Sequence, residues 1–449
     1  MKNKVSFLLL STALAVGCTT EREQENLQDI NTSAKVTTLG ALNGNSVENS
    51  NRPIQGQYIV VLHEGTLDKN GLSFAKAKNE KRSNYLQKTN ALTSNLKQNK
   101  GLQLGIDKGK ISAAFGYALE GFVAKNLTDT EVQSLRQDPR VKSVEQDYLI
   151  ALAKPTRPGD GGTTPAGQET PWGITRIGGF GDGTGKTAWI IDSGIDLDHP
   201  DLNVDTGRSV SFTGDNNPND GNGHGTHVAG TVAALNNTIG VVGVAAGANV
   251  VALKVLGNDG SGDFSWTVQA LDYVAATGTA GDVINMSLGP SSRYTDSAVD
   301  MATVNVASKG IKVAVAAGNS YDDANFYSPA RATHANIYTI SAVAQGDFWA
   351  YFSNYGTVVD YAAPGYNVKS TWINGGYNTI SGTSMASPHA AGILLLGSPK
   401  TGGYVKDAYW EYTKKGGGTL TGKYGATNSY SQAIFRGDLD GKIDPVMVR

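Results

Sequence analysis

Two short apolar runs, Thr187–Ile191 and Val313–Ala317, each lead into a polar residue, Asp192 directly and Asn319 after one glycine. Runs of this length are too short for helices and read as strands buried on both faces, the mark of a parallel sheet covered by helices. In open α/β sheets, sites form at the carboxyl ends of the strands, where Asp192 and Asn319 stand. The stretches opening at His224 and Ser384 are small-then-apolar and helical in character, which puts both side chains at helix N-termini. The pattern predicts an α/β fold with a mainly parallel central sheet.

Asp192, His224 and Ser384 lie in the runs Ile190–Gly194, Gly223–His227 and Gly382–His389. A serine hydroxyl is a weak nucleophile at neutral pH. It needs a base to take its proton and a carboxylate to hold that base in the right tautomer. A helix start at Ser384 also offers a free backbone N–H to a developing oxyanion, and the Asn319 amide is the expected second donor. Gly382-Thr383-Ser384-Met385-Ala386 loosely resembles an α/β-hydrolase elbow. That fold requires a histidine well after the serine, and the last histidine here is His389.

These runs resemble the subtilisin and proteinase K family over roughly residues 168–435: Thr231–Val255 resembles the bacterial subtilisins, Asn325–Pro329 and Tyr351–His389 proteinase K. The resemblance implies a three-layer subtilisin-like fold and a serine endopeptidase in which Asp192, His224 and Ser384 form the triad and Asn319 serves the oxyanion. A related Ser-Glu-Asp family carries Asp at that position, which Asn319 argues against. By the same match Gly260, Gly262, Ser287, Leu288 and Gly289 belong to two edge segments that hold substrate as an added strand. Ala316, Ala317 and Gly318 wall the primary pocket, and Phe264 borders a more distal one. These walls are small and apolar, so large apolar or aromatic residues are expected before the scissile bond. The resemblance further implies calcium, held by Leu235, Ile239 and Val241 through backbone oxygens and by the side chains of Asn237, Asp201 and Gln168, with Asp360 a candidate for a second site. Because Gln168 follows a linker, the first site is expected to close only after the chain is cut. His227 and His389 read as packed structural histidines. His63, His199 and His334 read as surface or turn residues.

A chain of 449 residues suggests two folded units, and a net charge of -2 excludes nucleic acid or an anionic membrane surface as an obvious partner. Residues 1–17 read as a signal peptide. The sole cysteine, Cys18, ends an Ala15–Cys18 run that resembles a bacterial lipoprotein box, although Ala15 stands where Leu is usual. A lipid on Cys18 would anchor the precursor to a membrane until maturation frees the secreted enzyme. Residues 18–53 read as a polar tether. Residues 54–150 carry a β-α-β-β-α-β order: strand Gln57–Leu62, helix 72–96, strands Phe115–Leu119 and Gly121–Ala124, a helix opened by the Thr128/Glu131 capping box, and strand Val141–Ile150. This small ferredoxin-like α+β unit resembles the family's inhibitory prodomain, whose C-terminal tail would lie in the cleft like a product. Residues 151–167 form a Pro/Gly linker, and the catalytic domain is expected over 168–449. Val405–Lys415 suits a helix, and 436–444 reads as a solvated tail.

Overall fold

The computed structural model describes residues 51–74, 76–77, 79–98, 102–152, 167–413, 419–423 and 444–449, without side chains at 407–413 and 419–423. Cys18, the expected signal, residues 18–50 of the expected tether and most of the linker lie outside the described residues, while Arg52 and Pro53, read as tether, pair with Leu149 and Tyr148 as the start of a strand. No helix among the described residues is long and apolar enough to cross a membrane.

The N-terminal unit contains β1 (Arg52–Leu62), α1 (Arg82–Lys97), β2 (Ile111–Phe115), β3 (Gly121–Ala124), α2 (Asp129–Gln137) and β4 (Val141–Ala151). Its antiparallel sheet runs β4-β1-β3-β2. Alternation decides what each face meets. Val60 and Leu62 pack with Leu92, Leu96, Val132 and Leu135 of the unit's own helices, whereas Ile59 and Val61 join the core of the next unit. The capping box at α2 forms as predicted, with Thr128 and Glu131 bonding reciprocally. The second strand lies earlier than predicted, at 111–115. The N–H groups of Gly116, Tyr117 and Ala118 turn instead to the buried carboxylate of Asp272.

The larger unit follows with β5 (Thr187–Asp192), α3 (His224–Ala233), β6 (Asn249–Lys254), β7 (Ser261–Asp263), α4 (Phe264–Thr277), β8 (Val283–Met286), α5 (Ser297–Ala307), β9 (Lys312–Ala316), β10 (Ile337–Ala344), β11 (Tyr361–Pro364), α6 (Thr383–Leu396), β12 (Lys400–Tyr404) and β13 (Pro445–Val448). The sheet path β13-β11-β10-β9-β8-β5-β6 is parallel throughout. β5 is buried on both faces. Trp189 and Ile191 face the core shared with α4 and α5, and Ala188 and Ile190 face the one shared with α3 and α6. The result is the predicted three-layer α/β architecture.

Two expectations for the C-terminal region are corrected. Lys406–Thr413 is a strand and not a helix, in keeping with its aromatic residues Tyr409, Trp410 and Tyr412. Asp444 is not solvated. It is buried, accepts from Ser341 Oγ at 2.8 Å and leads into β13, where Val446 and Met447 are fully buried.

Candidate active site

Asp192 ends β5, and His224 opens α3. Asp192 Oδ1 lies 2.8 Å from His224 Nδ1 and accepts the Ser193 N–H at 2.7 Å. A carboxylate only accepts, so Nδ1 carries the proton and Nε2 keeps its lone pair. Burial disfavours the charged imidazole, and the charge and hydrogen bond of Asp192 outweigh it, so the His224 pKa is raised above its ordinary value. The start of α3 is held by Asp220, which the sequence reading missed. Its carboxylate accepts from Ser193 Oγ, from the backbone of Asn222, Gly223 and Thr226, and from Thr226 Oγ1, all at 2.7–3.0 Å. Asp220 thereby ties the end of β5 to the imidazole's helix. Gly223 must be glycine, with φ +105 and a Cβ position 2.3 Å from the Trp372 ring.

Ser384 sits in the first turn of α6. Pro388, four residues on, has no N–H to give to the Ser384 carbonyl. Ser287 Oγ, at the end of β8, fills the vacancy at 2.8 Å, and Asn285 and Ser387 extend this link between sheet and helix. Among the described residues the Ser384 hydroxyl makes one long 3.3 Å bond, to Ser287 O, and none to His224. Catalytic hydrogen bonds of this kind commonly tighten only with substrate in place. Asn319 Oδ1 accepts from Thr383 N and Oγ1 at 2.8 and 2.9 Å, which fixes the orientation of its amide. A Cβ built on Gly382 would stand 3.5 Å from Asn319 Nδ2 and 3.6 Å from Ser384 N, so both donors border one small space. Asn354, also missed, holds the loop behind them. It donates to Ala317 O and accepts from Ser320 and Asp322, and it packs against Gly318, whose φ is +106. A polar residue amid the apolar flanks of Ser353-Asn354 was the available signal. His227 and His389 are buried and neutral, burial pushing them down to about 3 and about 4, as structural histidines would be.

The expected substrate edge is occupied by the chain itself. β4 lies antiparallel to β7, with Leu149 opposite Asp263, Ile150 opposite Gly262 and Ala151 opposite Ser261, and Leu152 N donates to Gly260 O at 2.9 Å. Phe264 is fully buried beneath Tyr148. Leu288 and Ala316 are buried, and Gly289 is partly open.

Several carboxylates are buried where the two units meet. Gln57 Nε2 bridges Asp147 and Asp263 at 2.6 and 2.8 Å. Burial, then the charge of Asp147, pushes Asp263 up to about 6; burial pushes Asp272 up to about 6 as well. A free aspartate titrates near 3.9, so releasing the N-terminal unit lets these groups ionise. The separated N-terminal unit is therefore expected to bind the rest of the chain most tightly below about pH 4. Binding weakens between about 4 and 6 and levels off above, by at least about tenfold. Inhibition of the protease by its separated N-terminal unit, measured across that range, checks the sign, and Asp263→Asn should make the curve shallower, leaving the part carried by Asp272.

The calcium candidates cluster. Asp201 is fully buried. It accepts from Asn237 Nδ2 at 2.8 Å, Val241 N at 3.0 Å and Tyr377 OH at 3.2 Å, with no Lys or Arg partner among the described residues. Gln168 Nε2 bonds Leu235 O at 2.8 Å, and Ile239 N bonds Asn237 Oδ1 at 2.8 Å. Gln168 is already seated in the uncut chain, and Glu169 bridges to Val241, so closure does not await cleavage. His199 is not a surface residue. It is buried beside this cluster, bonded to Asp201 N and Gly376 O. Asp360 stands apart from these residues, bonded to Thr339 N at 2.8 Å. Among the described residues no three His, Cys, Asp or Glu side chains gather as a metal group, so any ion here would rest on one carboxylate plus amide and carbonyl oxygens.

The chain matches the subtilase family over residues 183–407 and peptidase inhibitor I9 over residues 57–153. It is 40% identical to alkaline serine exoprotease A of Vibrio alginolyticus, over 65% of this chain and 54% of that one, so it spans about half of that relative's length. It is 38% identical to the M-protease of Shouchella clausii, over 70% of this chain and 77% of that one. With the extracellular serine proteinase of a Thermus strain it shares 37% identity, over 76% and 80%. The sheet, the Asp192–His224 pair and these matches lead to one conclusion: the chain belongs to the subtilase family of serine proteases and carries an I9 prodomain ahead of the protease domain.

Proposed function

We propose that this subtilase is a secreted endopeptidase, made as a self-inhibited zymogen, with Ser384 as nucleophile, His224 as base and Asp192 as its orienting carboxylate. The observation that carries the reading is the shared space bordered by Asn319 Nδ2 and Ser384 N, with the Asp192–His224 pair preformed. His224 Nε2 takes the Ser384 Oγ proton as the oxygen attacks the peptide carbonyl. The oxyanion is received by the two N–H donors, and the imidazolium is balanced by Asp192. His224 then returns the proton to the leaving amine, and water resolves the acyl-enzyme. Small apolar walls at Ala316–Gly318 and Ser287–Gly289 favour apolar or aromatic residues before the cut, with main-chain pairing on Gly260–Gly262 keeping selectivity broad.

The prodomain tail gives the test. Leu152, the last described residue before the linker, is held on the Gly260 edge, and the Gly260 Cβ position lies 3.1 Å from Asn222 Nδ2, two residues before His224. The first self-cut is therefore expected just beyond Leu152, and N-terminal sequencing of the processed enzyme checks it. A start at or before Leu152 would contradict the reading. If Cys18 carries lipid, this cut frees the protease from its anchor.

The oxygen-rich cluster fits a calcium ion, since Asp201 is buried without a cation among the described residues and hard, mixed-charge oxygen sites suit Ca²⁺. Asp201, Gln168, Asn237 and the carbonyls of Leu235, Ile239 and Val241 would hold it, tying the start of the protease domain to its loop. Chelation is expected to lower the midpoint of thermal unfolding by roughly 5–10 °C. Asp201→Asn should show the lowered midpoint without a chelator and respond little to one.

A further inference from the structure

We propose that Lys254, buried outside the triad, is a positioning residue for the reaction: its ammonium grips the turn that carries Asp192 and supplies the positive charge that lets His224 give up its proton at neutral pH. The proposal rests on the protease reading and deepens it.

Lys254 ends β6, directly opposite Asp192 in the parallel ladder, and is fully buried. Its Nζ donates to Ser193 O at 2.6 Å and to Asn258 Oδ1 at 3.2 Å. Ser193 is the residue through which the catalytic pair is held. Its N–H goes to Asp192 Oδ1, and its hydroxyl donates to Asp220 Oδ1 at 3.0 Å and accepts from Gly225 N at 2.9 Å, in the first turn of α3. The two residues after Lys254, Val255 and Leu256, give their N–H groups to Asp192 O at 2.9 and 3.2 Å, so the end of β6 grips both peptide units around the carboxylate. Asn258 carries the grip outward. Its carbonyl, two residues before Gly260 of the substrate edge, accepts from Asn222 Nδ2 at 3.2 Å.

A methionine would fill this space without taking a charge out of water. A buried ammonium is costly unless opposite charge offsets it, and among the described residues no carboxylate is in direct ion-pair contact with Lys254. The offset comes from a surrounding shell: burial lowers the Lys254 pKa, and the charges of Asp220, Asp215, Asp192 and Asp259 oppose it. Burial also works against a charged His224, and two of the same carboxylates, Asp192 and Asp220, more than offset it there. His227, in the next turn of α3, is neutral and adds no charge. Lys254 thus sets a cation against the two carboxylates that would otherwise hold the proton on the imidazole.

The test is the pH profile of kcat/KM for the processed enzyme on a peptide anilide with an aromatic residue before the amide. Its acid limb reports the pKa of the base in the free enzyme. Removing a cation from near an imidazolium raises that pKa. In Lys254→Gln and Lys254→Met the limb is therefore expected to move up by about 0.5–1 pH unit, a loss of about three- to tenfold on the acid side. Lys254→Arg keeps the charge and should keep the wild-type midpoint. An unchanged midpoint in either neutral variant that folds overturns the proposal, as does an Arg variant shifted as far as they are. Loss of folded precursor in both neutral variants, read from their unfolding midpoints in the Ser384→Ala background, makes Lys254 a structural residue and overturns it too. In each case hydrolysis by the wild-type enzyme still supports the protease reading. A wild-type enzyme that leaves the anilide intact overturns both.

Discussion

Ser384→Ala is expected to leave the chain uncut and to lower turnover by about six orders of magnitude, the size of loss seen when the nucleophile is removed from a subtilisin. The loss should be chemical and not structural. The Ser384 hydroxyl makes one long bond, to Ser287 O, while the strong link from Ser287 Oγ goes to the Ser384 main-chain carbonyl and survives the substitution. Stability is therefore expected to change by less than about 1 kcal/mol. Without an attacking oxygen the tail on β7 is never severed, so full-length precursor accumulates with a near-normal unfolding midpoint. Electrophoresis of the expressed variant, beside its rate on a small amide substrate, reads both effects. Processing at the normal site in this variant, in the absence of any other protease, would contradict the proposal.

Asn319→Ala comes second, with an expected fall in kcat of about 10²–10³ and little change in KM, as in a subtilisin stripped of the same kind of donor. Asn319 has two separable jobs. Its Oδ1 receives Thr383 N and Oγ1 and squares the first turn of α6, and its Nδ2 faces the space beside Ser384 N. Asn319→Asp keeps the first job and reverses the second, placing an acceptor where negative charge develops. It is expected to fall at least as far as Asn319→Ala, although Thr383 keeps its acceptor. An Asp variant close to wild type would mean that the amide matters only for the helix turn.

What could be read in the sequence follows from how local the signal is. β5 is legible because a central parallel strand is buried on both sides and so is apolar at every position from Ala188 to Ile191. The prodomain's β1 is legible by alternation, yet nothing in it tells that Ile59 and Val61 meet the protease while Val60 and Leu62 meet the prodomain's own helices. Asp220 and Asn354 escaped because their work is to collect backbone N–H groups from loops, and loop geometry leaves no period in the sequence. The turn at 116–118 escaped for the converse reason. Phe115–Leu119 has strand composition, and a carboxylate on a helix far along the chain, Asp272, takes its N–H groups. Lys406–Thr413 was misread because its small and charged residues suit either period, and pairing with Phe348–Ala350 and Thr419–Lys423 decides. Gln168 was expected to arrive late on the reasoning that a Pro/Gly linker holds it away, but the bridge between Glu169 and Val241 seats it beforehand.

The central claim is that His224, oriented by Asp192, makes the alcohol at 384 nucleophilic. Reaction of the processed enzyme with an organophosphonate, followed by mass spectrometry of its peptides, measures that directly. One equivalent is expected on Ser384, with the rate rising with pH as His224 loses its proton and falling by several orders of magnitude in His224→Ala. Labelling spread over other serines, or a rate on Ser384 unchanged without the imidazole, would contradict the account.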